Sequence, residues 1–189
     1  MEVRVNLAVL VVIGIVWGAL SATEPVAAMD PRDPQTADLA RLEDALAAHP
    51  ADARLASRLA ERYLDLGEPG LAVAALRSAD PAVLEDPLTA HRLAQAYEQS
   101  GRLPDALATA NLALARCSRT LGTDEVQASV TPVPRFDCSE RTYAALEMHQ
   151  AALASMSHWG VTDPTHDLTR AARAYQLATR SARVAMGDE

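Results

Sequence analysis

The chain has 189 residues, 49% hydrophobic, 22% charged and only 4% aromatic, with a formal net charge of −8. This composition excludes a disordered or fibrous chain, is sufficient for one domain with a real core, and favours closely packed helices over a β-sandwich because Ala and Leu abound while aromatics are scarce. The negative balance argues against a nucleic-acid partner, since neutralising phosphates needs a basic surface.

The first segment, "MEVRVNLAVLVVIGIVWGALSATEPVAAMD", bears Glu2 and Arg4, then an uncharged, mainly apolar run from Leu7 to Leu20, then small residues. That is the layout of a secretory signal, with Leu20 and Ala22 before one cleavage position at Thr23, and Val26 and Ala28 before a second at Met29. The alternative is an uncleaved membrane anchor, because the stretch of about 16 residues from Val5 to Leu20 falls just short of the ~17–25 of a spanning helix. Residues 1–22 are therefore read as signal peptide or anchor, and both readings export the remainder of the chain. The mature part is expected to be periplasmic or secreted, or held in the inner membrane facing the periplasm. Residues 23–36 read as a linker: "ATEPVAAMDPRDPQT" holds three prolines and mixed charge without an apolar period.

Helical pattern begins near Ala37, and a capping helix is expected from Thr36 to His49. Two similar segments come next, "RLAERYLDLG" (58–67) and "RLAQAYEQSG" (92–101), offset by 34 residues. Laying 53–86 over 87–120 pairs Leu59 with Leu93, Ala60 with Ala94, Tyr63 with Tyr97, Gly67 with Gly101 and Ala72 with Ala106. Leu59, Ala60 and Tyr63 share one face of a first helix, and Gly67 stands as its left-handed stop. Pro69 and Pro104 stand near the start of a second helix, where a missing N–H is harmless. Ala72, Leu76 and Ala79, like Ala106, Ala110 and Ala113, fall on one face of that helix.

This 34-residue pattern resembles the tetratricopeptide repeat, in which helix-turn-helix units stack into a superhelix. The large apolar residue followed by a small one, the tyrosine one turn later, the turn glycine and the small residues of the second helix all match. The early tryptophan does not, since Ala56 and Ala90 replace it. The resemblance implies an all-α fold: a short right-handed α-solenoid with a capping helix and two hairpins over 37–120, a loop over 121–137, and a degenerate C-terminal hairpin over 138–189. It further implies a concave groove lined by the first helices, with Arg54, Ser57, Glu61 and Asp65 from one unit and Leu88, His91, Gln95, Glu98 and Gln99 from the next. Ser57, Glu61, His91 and Gln95 stand where members that grip a C-terminal carboxylate carry Lys and Asn, so that specificity is not expected. The implied partner is a protein or peptide of the bacterial cell envelope. The alternative is a structural or small-ligand-binding envelope protein, with the third hairpin and loop forming a pocket or dimer contact.

Cys117 and Cys138 flank the loop. In an exported chain they read as a disulfide, which by loop closure of about 22 residues stabilises by roughly 3 kcal/mol; buried free thiols are the alternative if the chain stays reduced. No C-x-x-C motif suggests a redox pair or haem attachment. His49, His91, His149, His158 and His166 form no H-E-x-x-H pattern, Ser157 and Ser181 lie in no G-x-S-x-G context, and no glycine-rich phosphate loop exists. No catalytic residue, metal or cofactor is therefore expected. The last helix gathers Arg170, Arg173, Arg180 and Arg183 opposite Ala171, Tyr175, Ala178 and Ala182. That side is open to two readings, a solvated face or a docking face for an acidic partner or anionic membrane. All 17 basic residues are Arg, which reads as the coding bias of a GC-rich genome.

Overall fold

Each helix starts where a side chain accepts from its free N–H groups or a proline removes one of them. In a computed structural model, which describes residues 34–123 and 138–186, the described residues form seven α-helices and no strand. They are α1 (Pro34–Ala48), α2 (Ala53–Asp65), α3 (Pro69–Ser78), α4 (Pro87–Gln99), α5 (Leu103–Thr123), α6 (Glu140–His158) and α7 (Leu168–Met186), with a short 3-10 helix at Pro81–Glu85. Asp52, Asp86 and Ser139 cap α2, α4 and α6, accepting from backbone N–H groups within the first turn. The apolar run of residues 7–20 and most of the loop lie outside the described residues. Among the described residues, no helix is long and apolar enough to cross a membrane. Residues from Leu39 onward form one compact unit, within which the helices pack on one another.

The 34-residue offset reappears as buried positions. Ala56, Leu59, Ala60 and Tyr63 of α2 are buried, and so are Ala90, Leu93, Ala94 and Tyr97 of α4. The same holds for Ala72, Leu76 and Ala79 against Ala106, Ala110 and Ala113. Small side chains at these places let neighbouring helices approach closely, and each fully buried Leu contributes roughly 1.5–3 kcal/mol. Both tyrosines reach back to the preceding helix: Tyr63 donates to Glu43 of α1, and Arg77 of α3 donates to the Tyr97 hydroxyl at 3.1 Å. Glu43 and Arg77 are themselves 34 apart, so α1 stands to α2 as α3 stands to α4.

Some boundaries differ from the sequence reading. Helix α1 begins at Pro34, inside the segment read as linker, because proline at a first helical position costs no hydrogen bond. Helix α5 continues to Thr123, into the segment read as loop. Helix α3 stops at Ser78, and Pro81–Glu85 adds a 3-10 turn whose Val83 is fully buried. Val83 lies 34 residues before Cys117, so the first hairpin fills with a 3-10 turn the place that the second fills by prolonging its helix.

Cys117 and Cys138 lie at disulfide distance, 5.4 Å between Cα atoms. With Ala90, Ala113 and Leu146 around them, they form a second apolar cluster joining α4 and α5 to α6.

Three turns share one geometry. Gly67, Gly101 and Gly160 have φ of 72°, 74° and 71°, and the residue after each donates to the carbonyl five back: Glu68 to Tyr63, Arg102 to Tyr97, Val161 to Met156. The first two differ in what lies above them. A Cβ on Gly67 meets nothing within 4 Å, whereas one on Gly101 would lie 2.6–2.7 Å from the Asp163 carboxylate, in the turn between α6 and α7. Gly67→Ala is expected to cost about 1–2 kcal/mol, the left-handed penalty alone. Gly101→Ala should cost clearly more, because the long turn must also move. Urea unfolding of the two variants side by side checks this, and equal losses would contradict the contact.

Candidate functional site

The face shared by the first helices α2 and α4 is built around Arg92, a residue that periodicity alone did not single out. Its Nη2 meets Glu61 Oε1 of α2 at 2.5 Å, and its Nη1 donates to Gln95 Oε1 at 3.0 Å. Glu61, Arg92 and Gln95 thus form a continuous polar strip between successive hairpins. Arg54, Asp65, Leu88 and Gln99 are exposed, and Leu88 presents an apolar side chain that is 41% accessible. Ser57 is only 6% exposed and lies among the packing residues of α2.

His91 and Glu98 take a different course. They are one heptad apart on α4 and so share a face, which the third hairpin covers. His149 of α6, 4% exposed, stands between them: its Nδ1 is 2.9 Å from His91 Nε2, and its Nε2 is 2.9 Å from Glu98 Oε2. Tyr175 of α7 donates to both carboxylate oxygens, at 2.7 and 2.8 Å. The rings of His91 and His149 meet edge to face at 4.8 Å, and those of His149 and Tyr175 lie nearly parallel at 6.2 Å.

The hydrogen-bond directions follow from what each group can offer. A carboxylate only accepts, so His149 donates to Glu98 through Nε2, while the tautomer sets which of His149 Nδ1 and His91 Nε2 donates to the other. The network therefore runs from His91 through His149 to Glu98, with Tyr175 as second donor, and joins three helices. Burial, then the neighbouring His149 and Arg92, push His91 down to about 3. Burial and the Glu98 carboxylate push the Tyr175 phenol upward. The atoms are committed to one another, and among the described residues no group of three or more His, Cys, Asp or Glu could hold a metal ion.

At the rim, the Asp163 carboxylate accepts from the Thr165 hydroxyl at 2.6 Å, from the Thr165 N–H at 2.8 Å, and lies 2.7 Å from His166 Nδ1. These bonds, that of the Thr165 side chain foremost, hold it at about 2. The arrangement orders the long turn above Gly101. A separate open depression of about 380 Å³ lies where Leu103, Leu107 and Asn111 of α5 face Ser157 and Val161.

Sequence reasoning named the face but not its cross-links. Arg92 carried a signal in retrospect, as a long cation one helical turn from the groove positions; His149 and Tyr175 carried none that linked them to α4. No protein-family model matches the chain, and neither the comparison with curated proteins nor that with solved structures produced a match.

Proposed function

We propose that this chain is a non-catalytic interaction scaffold of the tetratricopeptide type, exported to the bacterial cell envelope, where the concave side of α2 and α4 receives a partner peptide or protein. The hairpins α2–α3, α4–α5 and α6–α7, preceded by α1 as cap, are read as a short right-handed solenoid. The observation that carries the reading is the strip of Glu61, Arg92 and Gln95, which makes one surface out of two successive first helices. Exposed Arg54, Asp65, Leu88 and Gln99 border it with mixed charge and one apolar contact, the composition of a surface that binds an extended segment with modest affinity.

The third hairpin sets the limit of this surface, because His91 and Glu98 are spent on holding it. Binding is therefore assigned to the α2 side and the outer part of α4. The test is charge reversal at Glu61→Arg and Asp65→Arg, both exposed. Capture of the envelope partner by the folded double variant is expected to fall at least tenfold; unchanged capture contradicts the groove. A second reading, a small apolar ligand between the second and third hairpins, is favoured by the depression between α5 and the end of α6.

A further inference from the structure

Helix α7 turns Ala174 and Ala178 into the core and leaves its opposite side open. Arg173, Leu177, Arg180 and Val184 recur there at i, i+4, i+7 and i+11, one stripe along the helix with Arg183 beside it. All five are accessible to solvent, Leu177 by 40% and Val184 by 73%. In a chain of net charge −8, this helix carries four Arg and neither Asp nor Glu. Arg170 is neutralised by Asp167 at 3.3 Å, and Arg173 lies over the Trp159 ring at 5.8 Å. Among the described residues, no ion pair engages Arg173, Arg180 or Arg183.

We infer that this outer face of α7 docks on an anionic bilayer surface, the three guanidinium groups meeting lipid phosphates while Leu177 and Val184 enter the headgroup boundary. Arginine on long stems with short apolar side chains between them suits such an interface. The chain's own apolar run from Leu7 to Leu20 also points to a membrane as the nearby anionic surface. The inference does not depend on the groove, which lies on other helices.

The test uses the full chain with vesicles of phosphatidylcholine alone and with about a third phosphatidylglycerol, compared with the Arg180→Gln, Arg183→Gln variant. Each Arg at an anionic surface contributes about fivefold in binding. The native chain should prefer the anionic vesicles tenfold or more at low salt, the preference should vanish at high salt, and the variant should lose most of it. The N-terminal run is the same in both proteins, so a preference retained in full by the variant would place the effect away from Arg180 and Arg183 and overturn the inference. Equal binding to both vesicles would also overturn it. So would Arg-dependent binding of poly-glutamate without vesicle preference, which assigns the face to an acidic protein, or self-association lost in the variant, which assigns it to a second copy. Circular dichroism of the variant confirms that α7 is still folded.

Discussion

Replacing Glu98 by alanine is expected to destabilise the protein by about 3–5 kcal/mol, the range for removing one partner of a buried charged or hydrogen-bonded pair. The loss is large because the carboxylate serves two donors at once, His149 Nε2 and the Tyr175 hydroxyl, and these come from different helices. Truncation leaves both donors enclosed without an acceptor, and it removes the anchor that fixes the His149 tautomer, so the contact to His91 weakens as well. The third hairpin should loosen before the rest. Hydrogen exchange in α6 and α7 should rise more than in α2 and α3, while urea unfolding reports the total. Glu98→Gln keeps an acceptor but turns an amide N–H₂ toward one of the donors, so it should recover only part of the loss. A cost of less than about 1 kcal/mol for the alanine variant would show that the network is not what holds the hairpin.

Acid should weaken the same junction. His91 titrates at about 3 in the folded chain against 6.5 for an ordinary histidine. Between those values the unfolded chain binds a proton that the folded chain excludes. Stability is therefore full above pH 6.5 and is lost as pH falls toward 3, at up to roughly 1.4 kcal/mol per pH unit, several kcal/mol in all. Burial sets this direction first, and His149 from α6 and Arg92 beside it on α4 add to it by disfavouring a positive charge on His91. Asp163, at about 2, adds its own loss only below pH 4. At the other extreme, the raised Tyr63 and Tyr175 phenols contribute stability that is present below pH 10 and lost above it. Urea midpoints across pH 7 to 4 measure the acid limb. His91→Asn should flatten it by about one proton, whereas an unchanged slope would place the titration elsewhere.

The contrast between those two junction residues and the rest of α4 explains what was legible in the sequence. Leu59, Ala60, Tyr63 and Gly67 could be read because each is decided locally, by helical period or turn geometry, and because each is written again 34 residues later. The buried residues Ala56, Leu59, Ala60 and Tyr63 recur, also buried, as Ala90, Leu93, Ala94 and Tyr97. His91 and Glu98 could be placed on one side of α4 by their heptad spacing, but what meets them could not. His149 is 58 residues from His91, and Tyr175 is 77 from Glu98. Their meeting depends on how the third hairpin docks, and that hairpin does not repeat the sequence of the others. The long turn is the other reason: Asp163 lies over Gly101, a contact with no counterpart at Gly67 from which it could be inferred. The cysteine pair was legible because two residues flanking one loop leave a single intramolecular pairing.

The boundary shifts have the same local origin. A 3-10 turn of five residues carries no helical period of its own, so Pro81–Glu85 vanished into the connection between hairpins although Val83 is fully buried. Arg92 was overlooked because it looks like any solvated arginine until Glu61 of the preceding hairpin is brought to it.

The central claim is that a partner engages the face shared by α2 and α4. Its most direct test places a photo-crosslinking residue at Asp65, and separately at Leu112 on the exposed side of α5, in the protein within its native host. One defined crosslinked partner is expected from position 65, suppressed by Glu61→Arg, and none from position 112. The same product from both positions, or a product at 65 indifferent to Glu61→Arg, would contradict the claim.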